Sequence, residues 1–445
     1  MRWLPIALLL LSGCGSKSAL TVQPAPVDAG VPDLAPDLTS CIPRGPESCN
    51  GVDDDCDGIV DEGLPLRPMG ESVVFRDTTD GETGMCDTCA WVRDLAVEST
   101  SAGILAAWHL GYLGTEPQPN TYTRLLDDRG RPNGPIERRD TLLNGGWTTS
   151  APHPDGMLLT YCGRVRGGDD VTTRALLDAR GVPIWEVRAE PDRSCGAWRP
   201  VSVRTGPRIL TAWTDNSSGP IPGHEHLIDI AGPDGESLDW TEVLPEGDGK
   251  PAFAVGHGRV VHVAAARPEP RMSHLYVQPY SLDGEPFEPA EILLELGPES
   301  FYGEPWVFAT ETGFIVHMNE ESREIRGRIV IDLDREGRTV GDPRRYDDEL
   351  ELVNTVDDAI AFRGGVIFAS PIRDADGELG YRVFFTNARG ETVDTWDPRD
   401  DDEGYGDGVF VEHRGQLFLA YRRGVESPDG RALVQLRMWS LGCQP

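Results

Sequence analysis

A short hydrophobic run that follows a turn glycine comes back seven times along this chain. It reads GILAAW from Gly103, GMLLTY from Gly156, GPRILTAW from Gly206, GRVVHVAA from Gly258, GFIVHM from Gly313, GVIFAS from Gly365 and GQLFLAY from Gly415. A second ladder of turns keeps step with the first: DDRG ending at Gly130, DARG at Gly181, GPDG at Gly235, SLDG at Gly284, DREG at Gly337, NARG at Gly390 and SLG at Gly442. Each ladder advances 312 residues in six steps, or 52 per step. Two markers with one period demand an architecture of stacked, equivalent units, each too small to bury a core alone.

Each unit has room for four short strands, A to D. Strand A precedes the first glycine, as in Pro200–Val203 or Trp306–Ala309. Strand B follows it and is almost wholly apolar, the composition of a strand covered on both faces. Strand C precedes the second turn (Leu275–Tyr280, Arg328–Leu333, Tyr381–Thr386), and strand D follows that turn (Ile184–Arg188, Leu238–Val243). Asp/Asn-x-x-Gly turns between such runs are hairpin signals, and no helical period interrupts them. Seven four-stranded units resemble a β-propeller. The expected fold is therefore all-β: a seven-bladed β-propeller over residues 70–445, with an N-terminal tether and a small disulfide- and metal-binding motif.

The ends of the chain support a closed ring. The seventh unit reaches strand C at Leu433–Trp439 and then almost stops, while residues 71–76 match the segments after Gly235 and Gly390. The N-terminal strand is expected to complete blade seven, because closure removes two open sheet edges. The A–B and C–D turns are tight and uniform and should form one flat face. The longer B–C and D–A connections gather on the other, where a rigid scaffold usually carries its binding residues.

Before the repeats lies an address. Arg2 and the apolar run Trp3–Leu11 form a targeting segment too short to span a bilayer. Leu11-Ser12-Gly13-Cys14 then resembles the lipobox of bacterial lipoproteins. The resemblance implies cleavage after residue 13, acylation of Cys14 and anchorage in the bacterial cell envelope, at the outer membrane; an ordinary secretory signal is the alternative. Residues 14–40, rich in Pro, Ala and Asp, read as an extended tether.

The export route bears on the cysteines. Apart from Cys14 there are eight: Cys41, Cys49, Cys56, Cys86, Cys89, Cys162, Cys195 and Cys443. An even number in an oxidising compartment suggests disulfides. Blade geometry suggests Cys162 with Cys195 at the variable face, and Cys443 with Cys41, Cys49 or Cys56 on the flat side. Cys86-x-x-Cys89 reads as a structural loop disulfide in preference to a redox motif, since no βαβ pattern surrounds it.

Between tether and repeats, residues 41–64 hold the densest chemistry. In CNGVDDDCDGIVDE, Asp53, Asp55 and Asp57 alternate ahead of Gly58, so three carboxylates can curl round a hard cation while the glycine permits the turn. The carbonyl of Ile59 is the next expected ligand, with Asp61 or Glu62 closing the shell. The twelfth loop position is Leu64, so this is no EF-hand. The run from Cys41 to Glu62 resembles a short metal-binding motif of secreted and surface proteins, a family named for a copper-binding surface protein of methanotrophs. The likeness implies copper or another transition metal; the absence of His and Met from the loop favours Ca²⁺. The bland alternative is an acidic solvated turn.

Other candidates are weaker. His224-Glu225-His226 offers two imidazoles without a third partner and reads first as surface decoration. His109, His262 and His317 lie in or beside strand B and read as core or rim. The acidic stretch Asp397–Gly408 reads as a solvated loop, or as a site for a cation or basic partner. A formal charge of -33 from 41 basic and 74 acidic residues repels polyanions, so nucleic acid is not an expected partner. The leading functional expectation is a lipid-anchored binding or scaffolding protein whose partner is a protein or carbohydrate. The alternative is an exported propeller enzyme that uses carboxylates at the central channel.

Overall fold

The computed structural model describes residues 66–76, 92–110, 121–139, 144–164, 170–189, 199–215, 225–244, 251–269, 272–296, 301–302, 305–321, 326–346, 358–373, 379–397, 405–426 and 432–443, together with Asp54, Leu142 and Cys195. These residues form seven antiparallel sheets and no helix. The protein is a seven-bladed β-propeller. Blade 3 shows the plan: Val201–Arg204, Ile209–Asp215, Glu225–Ala231 and Ser237–Leu244 pair in the order A-B-C-D.

Hairpin chemistry explains the second ladder. At Asp127 the side-chain Oδ1 accepts the backbone N–H groups of Arg129 and Arg131, both at 2.9 Å, and Gly130 N–H donates to the Asp127 carbonyl. Asp178, Asp334 and Asn387 repeat the same two side-chain bonds. The glycine then takes a left-handed φ, +73° at Gly130 and +80° at Gly181, the geometry of a type I turn closed by a glycine bulge. Glycine at the fourth position is therefore what the backbone requires; a short acceptor at the first adds two bonds where it is present, and blade 3 closes the same turn from Gly232 without one.

Packing runs between blades. Leu95 and Val97 of blade 1 face blade 7, where they meet Val411, Phe418 and Met438. Ala96, one residue out of step, faces blade 2 with Met157, Leu159 and Tyr161. Strand periodicity alone sends alternate side chains to the two neighbours. Polar links cross the same interfaces. Arg174 of blade 2 forms an ion pair with Asp229 of blade 3, both side chains at 0 % exposure, and donates to the Gly235 carbonyl at 2.9 Å. On the flat face, Thr100 Oγ1 donates to the Ala179 carbonyl and Thr205 Oγ1 to that of Leu282, each reaching the next blade's C–D turn.

The ring closes as expected, with one refinement. The outer strand of blade 7 comes from the N-terminal side in two pieces, Leu66–Pro68 opposite Cys443–Leu441 and Val73–Arg76 opposite Met438–Leu436. It therefore starts at Leu66, before the expected boundary at residue 70. Gly442 is correspondingly a strand residue paired with Arg67, because no outer strand follows it in sequence. In blade 6 the left-handed positions are Arg363 and Gly364 (φ 47° and 74°), one place before the expected Gly365.

Phe75 is fully buried against Trp108, with ring centroids 6.3 Å apart. Phe75→Ala is expected to cost about 3–5 kcal/mol by cavity formation. Asp229→Asn, which strands a buried guanidinium, should also cost about 3–5 kcal/mol. Both would appear as lowered urea midpoints with an unchanged slope.

Candidate functional site in the central channel

Strand A of every blade lines the ring's axis, so its half-buried polar residues are the first place to look for chemistry. Among the described residues these strands carry the carboxyl groups of Asp94, Glu98, Asp358 and Glu412, and the first to consider are Glu98 and Asp358. Glu98 lies on strand A of blade 1 (Val92–Thr100), opposite Leu105, and its carboxyl is hydrogen-bonded to Ser150 on strand A of blade 2 (Asn144–His153). Asp358 opens strand A of blade 6 (Asp358–Phe362), opposite Ala369, and its Oδ2 accepts the Phe410 N–H of blade 7 at 2.7 Å. Blades 1 and 6 are not neighbours, yet the negative charge of Asp358 is felt at Glu98.

Their surroundings set their character. Val201, Val203, Phe253 and Val255 pack between blades 3 and 4, Phe308 and Ala359 between blades 5 and 6, and Ile360 and Phe362 against blade 7. In so apolar a wall, burial pushes the Glu98 carboxyl up to about 8; the Ser150 hydrogen bond opposes this and Asp358 adds to it. At neutral pH Glu98 is mostly a neutral acid, able to donate a proton.

The sequence-predicted residues fall elsewhere. Asp53, Asp55, Asp57, Ile59, Asp61 and Glu62 lie outside the described residues, as do Cys14, Cys41, Cys49, Cys56, Cys86, Cys89 and His224. Asp54, inside the acidic loop, is buried. Among the described residues no group of three or more His, Cys, Asp or Glu is arranged to hold a metal ion. Cys443 is disulfide-bonded, and its partner lies outside the described residues. Cys162 and Cys195 are buried thiols, so the expected bond between them is not formed. Cys162 is held by backbone pairing with Gly146 and Thr172, which secures that end of the blade without a covalent link.

His226 is not surface decoration. It is buried, with Nε2 3.0 Å from the Ala265 carbonyl and Nδ1 3.5 Å from Thr214 Oγ1. His109, His262 and His317 are core residues, as expected. Burial, helped by His226, holds His262 down to about 3, and burial with Arg328 and Arg344 holds His317 well below its usual value. Asp397 is paired with Arg382 through two hydrogen bonds of 2.6 and 3.0 Å. Residues 398–404 of that stretch lie outside the described residues.

No protein-family profile matches the chain, and no curated protein matches it. Solved structures match it at low identity and low TM-score. The neuraminidase-like protein of a flat-faced bat strain from Peru is 13% identical with a TM-score of 0.43, covering 86% of this chain and 95% of that one. The parainfluenza virus 5 hemagglutinin-neuraminidase ectodomain is 8% identical with a TM-score of 0.45, covering 86% and 85%. An alpha-L-arabinofuranosidase from Clostridium thermocellum is 13% identical with a TM-score of 0.30, covering 55% and 95%.

Glu98 also makes a pH prediction. An acid whose folded pKa lies above its unfolded value binds its proton more tightly when folded. Its stabilising effect is complete below the ordinary carboxyl value of 4.5 and is lost as pH rises through about 8. Glu98→Gln, which cannot ionise, should melt at a higher temperature than the parent above that range and close to it in mild acid. Parallel melting profiles would show that Glu98 ionises freely.

Proposed function

We propose that the chain is a binding or scaffolding propeller of the bacterial envelope, held by lipid on Cys14, whose partner meets the face carrying the B–C and D–A connections. The observation that carries this reading is the asymmetry of the ring. The C–D turns that join its blades' outer hairpins repeat one compact hydrogen-bonded form, and connections of unequal length leave the opposite strand ends. Rigid blades with one variable face are the arrangement of a recognition module. Within this reading, residues 41–64 hold Ca²⁺ through Asp53, Asp55, Asp57, the Ile59 carbonyl and Asp61 or Glu62, and brace the junction between tether and ring. The start of the first strand at Leu66, opposite the disulfide-bonded Cys443, supports a bracing role.

A soluble 65–445 fragment should capture a protein or glycan from outer-membrane extracts. Capture should vanish when connections on the variable face are replaced and survive Arg129→Ala on the flat face; the reverse pattern would reject this orientation. Calorimetry on residues 41–64 with oxidised cysteines should show Ca²⁺ binding tighter than millimolar, and no heat at that level would remove the metal from the proposal.

The Glu98–Asp358 pair favours a second reading, an exported enzyme that cleaves glycosidic bonds in the channel. Glu98 would protonate the leaving oxygen and Asp358 would act from the other side of the bond. If so, turnover on a panel of aryl glycosides should fall by about 10²–10⁴-fold in both Glu98→Gln and Asp358→Asn. Absence of turnover in the parent leaves the binding reading alone.

A further inference from the structure

Where blade 7 abuts blade 1 on the flat face, three residues far apart in sequence form one hydrogen-bonded chain. Ser99 is the penultimate residue of strand A in blade 1, Asp128 lies in that blade's C–D turn, and His413 ends strand A of blade 7 (Tyr405–His413). Ser99 Oγ is 2.8 Å from His413 Nδ1, and His413 Nε2 is 3.0 Å from Asp128 Oδ1. The imidazole is buried at 2 % exposure, Ser99 is half-buried and the Asp128 side chain is 52 % exposed.

The order of these groups decides the tautomer. A carboxylate at Nε2 keeps the imidazole proton on that nitrogen, so the Nδ1 lone pair faces the serine and accepts its O–H. Arg414 pairs with the other oxygen of Asp128 and holds the carboxylate in place. Asp128 itself is held below the usual carboxylate range, first by its hydrogen bond with His413 and then by Arg414. A nucleophile in reach of a base, and the base oriented by a third group, is the arrangement that activates a hydroxyl. Other contacts from an A–B turn to the next blade do without this three-residue chain, including that of His257 Nε2 with the Thr310 carbonyl at 2.8 Å. Thr100, Thr205 and Arg259 each donate directly to a carbonyl of the adjacent C–D turn, so holding two blades together needs no imidazole between a hydroxyl and a carboxylate.

We propose that Ser99 is a base-activated nucleophile that takes the acyl group of a small carboxylic ester at the flat-face mouth of the channel. Ser99 Oγ bonds to the carbonyl carbon as its proton passes to His413 Nδ1. The ester C–O bond then breaks, and the leaving alkoxide takes that proton. Water attacks the acyl-serine by the same route, releasing the carboxylic acid and restoring the hydroxyl. Asp128 is a positioning residue that sets the tautomer. This site is separate from the Glu98–Asp358 pair and stands or falls without it.

The test is labelling of the full chain with a fluorophosphonate probe, with the adduct located by peptide mass spectrometry. The expected result is modification at Ser99, none at that peptide in Ser99→Ala, and labelling slowed about 10²-fold in Asp128→Asn. That last variant changes an exposed side chain, so it also guards against a His413 variant that fails to fold; its melting temperature should stay near the parent's. A folded parent chain with Ser99 unmodified overturns the proposal. So does equal labelling of the parent and Asp128→Asn. Either result assigns the three residues to joining blade 7 to blade 1.

Discussion

The ring depends on the meeting of its two chain ends in a single sheet. Strand C of blade 7, Ala432–Cys443, is covered on its outer edge by Leu66–Pro68 and Val73–Arg76, contributed from more than 350 residues earlier in the sequence. Without that pairing blade 7 would present an open edge and Phe75 would leave its place against Trp108. The same pairing brings the N-terminal segment and Cys443 to the flat side. Closure thus sets both how the ring is held and where the preceding chain joins it.

Between blades the molecule solves a second problem with one physical means. Each interface is a dry layer of Leu, Val, Ile and aromatic side chains, and a polar group left in it needs a partner from the next blade. Arg174 finds Asp229, and Arg328 finds Thr392 while lying over the rings of Tyr346 and Phe368. Glu98 has a hydroxyl and a distant negative charge instead of a cation, so it retains its proton. The low dielectric that makes the ion pairs rigid also keeps the channel acid protonated.

Much of the fold was legible in the sequence because turns are local. Asp127 and Gly130, or Asn387 and Gly390, specify a hairpin within five residues, and the 52-residue recurrence of such hairpins implies equivalent blades. The errors were of short range as well: a left-handed position displaced to Gly364, and a closing strand that starts at Leu66. Side-chain fates that depend on a neighbouring blade were harder. His226 looked exposed beside His224, yet the Ala265 carbonyl of blade 4 receives it in the interior. Among 74 acids nothing local marks Glu98 or Asp358.

What the sequence alone determined was the number of blades, their order and the two faces, since periodicity and turn chemistry are properties of consecutive residues. Only the tertiary structure decided which side chains share a site. Ser99 and Asp128 of blade 1 meet His413 of blade 7 across the seam of a closed ring. Their proximity follows from the curvature and register that inter-blade packing imposes, and no spacing along the chain records it.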